Sequence, residues 1–204
     1  MESKEKNTKE KILEEALKLF AQSGYMGTSM NDIASKLGVT KAALYKHYKS
    51  KQEILDSIID KMNELDIERV KLYEMPEGDL EKVTAEYKET AFDKIKQFTK
   101  VQFLHWTEEE FSSCFRKMLT LEQYREPQMA QLYQNYLASG PLAYMEALFS
   151  GMLGDAEKAR QTALDFYGPI FLLYSIYDGA EDKSYVIKLL EEHMDCLLYT
   201  SDAA

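Results

Sequence analysis

Apolar residues recur at helical spacing along almost the whole chain, and no stretch alternates in the way a half-buried strand does. Ile12, Ala16, Leu19 and Phe20 form one stripe. It predicts a first helix over about Thr8 to Ser23, with Asn7 and Glu10 at its start and Gly24 at its end. Two short amphipathic segments then flank Gly38. Met30, Ile33, Ala34 and Leu37 share a face of the first, about Ser29–Leu37, and Ser29 and Asp32 have the spacing of a helix start. Gly38 can take the positive φ of a sharp helix end, and Thr40 can cap the second segment, about Lys41–His47. Ser50 and Glu53 set up a capping box for a longer helix through Ile54, Leu55, Ile58, Ile59 and Met62 to about Leu72.

Beyond a break at Met75–Asp79, helices are predicted over Asp79–His105, from Thr107–Glu110 onward, over Pro127–Phe149 with an interruption at Gly140-Pro141, over Ala156–Tyr177 with a kink at Gly168-Pro169, and from Lys183 to about Asp195. The fold class is therefore all-α, with about nine helices.

The pair around Gly38 has the pattern of a helix-turn-helix, whose second helix enters the major groove of double-stranded DNA. Leu44 and Tyr48 lie four apart and face inward, Tyr48 as a core aromatic. Lys41, Ala42, Tyr45, Lys46 and His47 are left outward. Lysines, a hydroxyl and a polar-tipped ring suit phosphate contact, and a small residue lets the helix approach base edges. A phosphate could also sit on the helix start at Ser50, held by Lys51 and free amide groups.

Gly24-Tyr25, Thr28-Ser29-Met30, Asp32-Ile33-Ala34, Gly38-Val39-Thr40-Lys41, Leu44-Tyr45 and Tyr48-Lys49-Ser50-Lys51 together resemble the TetR family of bacterial transcriptional regulators. The resemblance is specific over roughly the first quarter of the chain and rests on length and helical layout beyond it. It implies a three-helix DNA-binding domain over 1–55 and a helical ligand-binding and dimerisation domain over 56–204. It also implies a homodimer whose last two helices form the subunit interface, and release of the operator by a ligand. By position, Thr28 and Thr40 match phosphate-contacting hydroxyls. Lys41, Ala42 and Ala43 match the start of the recognition helix, Tyr45 and His47 match aromatic backbone contacts, and Lys51 matches a phosphate-binding lysine. His47 stands where the family more often has tyrosine. It would make DNA affinity respond to pH, since an unperturbed histidine titrates near pH ~6.5.

A net charge of −10 at first argues against nucleic acid, but the distribution of that charge points the other way. The balance is +3 through Ile54 and −13 in the remainder, which suits a protein touching DNA with one end. The charged start has no apolar run behind it, and Tyr167–Tyr177 is too short to span a bilayer. A cytoplasmic location, with no membrane partner, is expected. Cys114 reads as a small buried residue. The run Cys196-Leu-Leu-Tyr-Thr-Ser-Asp-Ala-Ala looks like translated sequencing adapter, so 196–204 is expected to be foreign to the natural protein.

The C-terminal part is rich in aromatics and methionine at helical spacing. Phe103, Trp106, Phe111, Met118, Tyr133, Tyr136, Tyr144 and Tyr167 are the candidate lining of a pocket for a small apolar or aromatic effector. The plainer reading is that such a stripe is core. No phosphate loop, nucleophile elbow, Glu-x-x-His pair or paired-cysteine site occurs, so neither enzyme chemistry, nor a cofactor, nor a metal is expected. The expected function is a ligand-responsive regulator, a repressor bound as a homodimer to a pseudo-palindromic operator. The alternatives are a helical small-molecule-binding protein or enzyme with a degenerate head, and an activator or ligand-independent regulator.

Overall fold

The computed structural model describes residues 2–201, with side chains described for 7–197; of the stretch 196–204, residues 202–204 lie outside the described residues. Eleven helices occur among the described residues: α1 (Glu2–Ser23), α2 (Met30–Lys36), α3 (Lys41–Leu44), α4 (Lys51–Leu72), α5 (Leu80–Glu89), α6 (Phe92–Thr107), α7 (Glu110–Glu122), α8 (Pro127–Leu137), α9 (Ser139–Leu153), α10 (Ala156–Gly179) and α11 (Lys183–Ser201). The all-α class holds, but the expected nine helices become eleven. The segment expected as one helix over 79–105 divides at Thr90, which is extended at φ −78 and ψ 125. The interruption expected at Gly140-Pro141 falls earlier, at Ala138. No described helix is long and apolar enough to cross a membrane.

By packing, the chain forms two compact units. One comprises Met1–Arg69 and Glu110–Tyr133, the other Val70–Glu109 and Gln134–Ala204. The expected head, 1–55, lies within the first unit, which also takes in most of α4 and all of α7. The reason is that α7 packs along α1. That second neighbour widens the buried face of α1 to Ile12, Leu13, Ala16, Leu17 and Phe20, while Leu19 is only half-buried. Ile54, Leu55, Ile58 and Met62 of α4 complete this core with Phe115, Met118 and Leu119 of α7. Lys18 links α1 to α7 at the surface, 3.0 Å from Glu110.

In the second unit α10 packs against α9, α11 and α6, and α5 packs on α9. Ala159, Ala163, Ile170, Leu173, Tyr174 and Tyr177 are the buried face of α10. They meet Phe103 and Trp106 of α6 and Val186, Leu190 and Met194 of α11 in one core. Lys96–Asp195 at 2.5 Å and Lys100–Glu191 at 2.6 Å tie α6 to α11 at the rim.

Candidate nucleic-acid interface

Local hydrogen bonds build the α2–α3 pair. The hydroxyl of Ser29 accepts from the Asp32 amide at 3.3 Å, and the Asp32 carboxylate accepts from the Ser29 amide at 2.8 Å, so both halves of the capping box form. The Ser29 hydroxyl also donates to that carboxylate, and these two bonds hold Asp32 below the usual carboxylate range. At the other end of α2, Gly38 sits at φ +66. Its amide donates to Ser35 O, and the Val39 amide donates to Ala34 O at 3.0 Å, closing the helix in a left-handed turn. Thr40 accepts from the Ala43 amide at 3.2 Å and starts α3. The α-helical part of α3 stops at Leu44, shorter than the expected Lys41–His47.

The resulting surface sorts the expected contacts. Leu44 and Tyr48 are buried, whereas Lys41, Ala42, Tyr45 and Lys46 are exposed. Tyr45 is 42% exposed, and the Lys41 ammonium lies over its ring at 5.8 Å. Thr40 is exposed, although its hydroxyl already serves as the cap. Ala43 is half-buried and lines an open crevice together with Thr8, Lys11, Ile12, Leu37, Val39, Leu44 and His47. His47 buries its Nδ1 there without a hydrogen-bond partner. Val39 is 44% exposed beside the row of outward residues, a placement that the sequence does not signal. A lone apolar residue after a glycine gives no pattern to read.

Two expected phosphate contacts are placed elsewhere. Thr28 is buried at 2% exposure, and its hydroxyl donates to Gly24 O at 2.8 Å. It braces the α1–α2 connection from inside. Lys51 is half-buried, and its ammonium donates to Tyr25 O at 2.6 Å and Thr28 O at 2.8 Å, 4.2 Å from the centre of the Tyr25 ring. Both side chains are committed to the loop between α1 and α2. The capping box at α4 forms in a shifted way: Glu53 N donates to Ser50 Oγ, and the Glu53 carboxylate accepts from Lys49 N rather than from Ser50.

The eight pocket candidates divide between the units. Phe111, Met118 and Tyr133 belong to the first, and Phe103, Trp106, Tyr136, Tyr144 and Tyr167 to the second. Within each unit the structure gives them different settings. Phe103 and Met118 are fully buried core. Tyr167 donates to Leu137 O at 2.8 Å, Trp106 packs edge-on to Tyr136, and Tyr144 is 45% exposed. Phe111 borders a narrow gap with Glu14, Leu17, Lys18, Glu110 and Cys114. Periodicity marks which side of a helix is buried, not where buried side chains leave a void.

A compact helical unit presenting a short capped helix with an outward row of lysines, alanine and tyrosine defines the class of helix-turn-helix proteins. Residues 12–58 match the family described as bacterial regulatory proteins, tetR family. The negative transcriptional regulator IcaR of the biofilm operon icaADBC of Staphylococcus epidermidis is 46% identical over 46 residues, 22% of this chain and 25% of its own length. IcaR of Staphylococcus aureus strain Newman is 41% identical over 51 residues, 25% of this chain and 27% of its own. The match thus spans about a quarter of these curated relatives. The fold is shared over nearly the whole chain with two solved structures. A transcriptional regulator from Aquifex aeolicus VF5 has TM-score 0.65 and 21% identity, covering 93% of this chain and 99% of that one. The fatty acid degradation regulator FadR from Bacillus halodurans has TM-score 0.56 and 17% identity, covering 91% and 93%. The TetR-family match thus covers the head, residues 12–58, and beyond it the likeness to these structures is one of fold.

Proposed function

We propose that this protein is a cytoplasmic transcriptional regulator that binds a pseudo-palindromic DNA operator as a homodimer and is released by a small apolar or aromatic effector. The observation that carries the reading is the outward row on α3. Lys41 and Ala42 on α3, and Tyr45 and Lys46 in the turn that continues it, are exposed on a segment fixed at its start by Thr40 and behind by Leu44 and Tyr48. Cationic and hydroxyl groups there can hold phosphates, and Ala42 leaves room for base edges.

Homodimerisation is supported by α10, which is apolar on two sides. Opposite its buried face, Leu164, Phe171, Leu172 and Ile176 are 45%, 38%, 59% and 39% exposed. A symmetric copy would cover them and present two identical heads. Repression is supported by the likeness of the head to that of IcaR, a negative transcriptional regulator. A gel-shift assay with duplex from the chain's own upstream region tests the reading. A retarded band that competes with specific but not random duplex is expected. Indifference to every duplex offered would leave a helical small-molecule-binding protein with a degenerate head.

A further inference from the structure

The turn between α2 and α3 holds an apolar side chain out in water. Gly38 reverses the chain at φ +66, and the Val39 amide donates to Ala34 O at 3.0 Å. Thr40 follows in an extended conformation, φ −74 and ψ 150, and its hydroxyl accepts from the Ala43 amide. The backbone is thus fixed on both sides of Val39. A branched Cβ leaves χ1 few choices, so the side chain is fixed as well. Val39 is exposed, yet it lines the open crevice whose other apolar walls are Ile12, Leu37, Ala43 and Leu44. Ile12 and Leu44 are buried beneath it and Ala43 is half-buried.

A single valine at a surface needs no explanation by itself. Two features set this one apart. It directly precedes Thr40, Lys41 and Ala42, so it continues the outward row of α3. The crevice behind it is lined by Lys11 and His47 but by no acidic residue, so a polyanion meets no like charge there. Lys41, Tyr45 and Lys46 offer polar groups to phosphates and base edges. Val39 and Ala43 offer none. Among the groups that base pairs display in the major groove, the thymine C5-methyl is the apolar one.

We propose that Val39 is a specificity-determining residue: its side chain, backed by Ala43, packs on the C5-methyl of one thymine in each half-site of the operator. The proposal rests on the reading of the protein as a homodimeric DNA binder. Burying one methyl contributes about fourfold in affinity, and two half-sites together about fifteenfold.

Deoxyuridine lacks that methyl and pairs as thymine does, so the test can be made first on the DNA. Thymines of the upstream duplex are replaced by deoxyuridine, all together and then in symmetric pairs, and affinity is measured by fluorescence anisotropy. One symmetric pair is expected to account for a loss of about fifteenfold with the wild-type protein. Val39→Ala should bind the thymine and deoxyuridine duplexes of that pair alike, because protein and DNA changes remove the same contact. Lys46→Ala should weaken both duplexes equally and keep their ratio. If the alanine variant does not fold, Val39→Thr replaces it, with the ratio expected to shrink. Equal affinity of the wild-type protein for thymine and deoxyuridine duplexes overturns the proposal while the DNA-binding reading stands. So does a methyl preference that persists undiminished in a folded Val39 variant. A wild-type protein indifferent to every duplex defeats that reading and this proposal with it.

Discussion

The ring of Tyr174 lies parallel to that of Phe103, centroids 5.3 Å apart and planes 8° apart. Tyr177 meets the same Phe103 edge-on at 5.6 Å, so one fully buried ring joins α6 to two turns of α10. A side chain packed on both sides is a wall of the core before it is the wall of a pocket. Phe103→Ala should therefore destabilise the protein by about 3–5 kcal/mol in denaturant unfolding. Full stability with loss of effector response would return Phe103 to a ligand site.

Tyr45 tests the opposite case. It is 42% exposed at the end of α3, so truncating it leaves the core untouched. Tyr45→Ala should weaken operator binding by about 1–3 kcal/mol with an unchanged melting temperature. Lost thermal stability at constant affinity would take Tyr45 off the DNA face.

Salt dependence separates two lysines that look alike in sequence. Lys46 is exposed, whereas Lys51 is engaged by two carbonyls. Lys46→Ala should lower the slope of log affinity against log salt by about 0.9, one phosphate contact. Lys51→Ala should weaken binding through the loop and leave the slope as it was. A flattened slope for Lys51→Ala would restore it as a phosphate ligand.

What could be read from the sequence is what neighbours in sequence decide. Ser29, Gly38 and Thr40 specify the ends of α2 and α3 through bonds that reach five residues or fewer, and each forms. The bounds of α4, Lys51 to Leu72, follow from the Ser50 cap and a continuous apolar stripe. The split between α5 and α6 carries neither glycine nor proline at Thr90-Ala91, so nothing local announces it. The partners of Lys51 lie 26 and 23 residues back, and Glu122 is buried only because α7 packs on α1. Such long-range contacts turned an expected DNA ligand into an internal strut. They also hid a buried carboxylate in a segment that reads as an ordinary helix end.

Alkaline pH should unfold the second unit's tyrosine contacts. Tyr87 is pushed up from 10.0 to about 12, first by burial and then by Tyr144. Tyr177 is pushed up to about 12, first by burial and then by the bond its hydroxyl donates to Glu108 at 2.5 Å. Raised values mean that the folded state holds these protons more tightly than the unfolded chain does. Their contribution is complete below pH 10.0 and is lost as pH rises through about 12. Unfolding free energy should fall across that window, and Tyr87→Phe with Tyr177→Phe should flatten the fall. An equally steep decline in the double variant would place the alkaline sensitivity elsewhere.

Leu164, Gly168, Phe171, Leu172, Ser175, Ile176 and Gly179 recur at helical spacing along the exposed side of α10. Added Cβ atoms at Gly168 and Gly179 would meet nothing within 4 Å, so small residues leave this face open to close approach. An apolar stripe of this length is unfavourable in water and favourable against a copy of itself. Leu172 is 59% exposed and sits mid-stripe, so a charge there spares the protomer core and strikes the proposed interface. Leu172→Glu should sediment as a folded monomer where the wild-type protein sediments as a dimer. It should also bind a two-half-site duplex far more weakly, because the heads no longer act together. A wild-type protein that is monomeric at micromolar concentration, or a variant that remains dimeric, would move the subunit interface off α10.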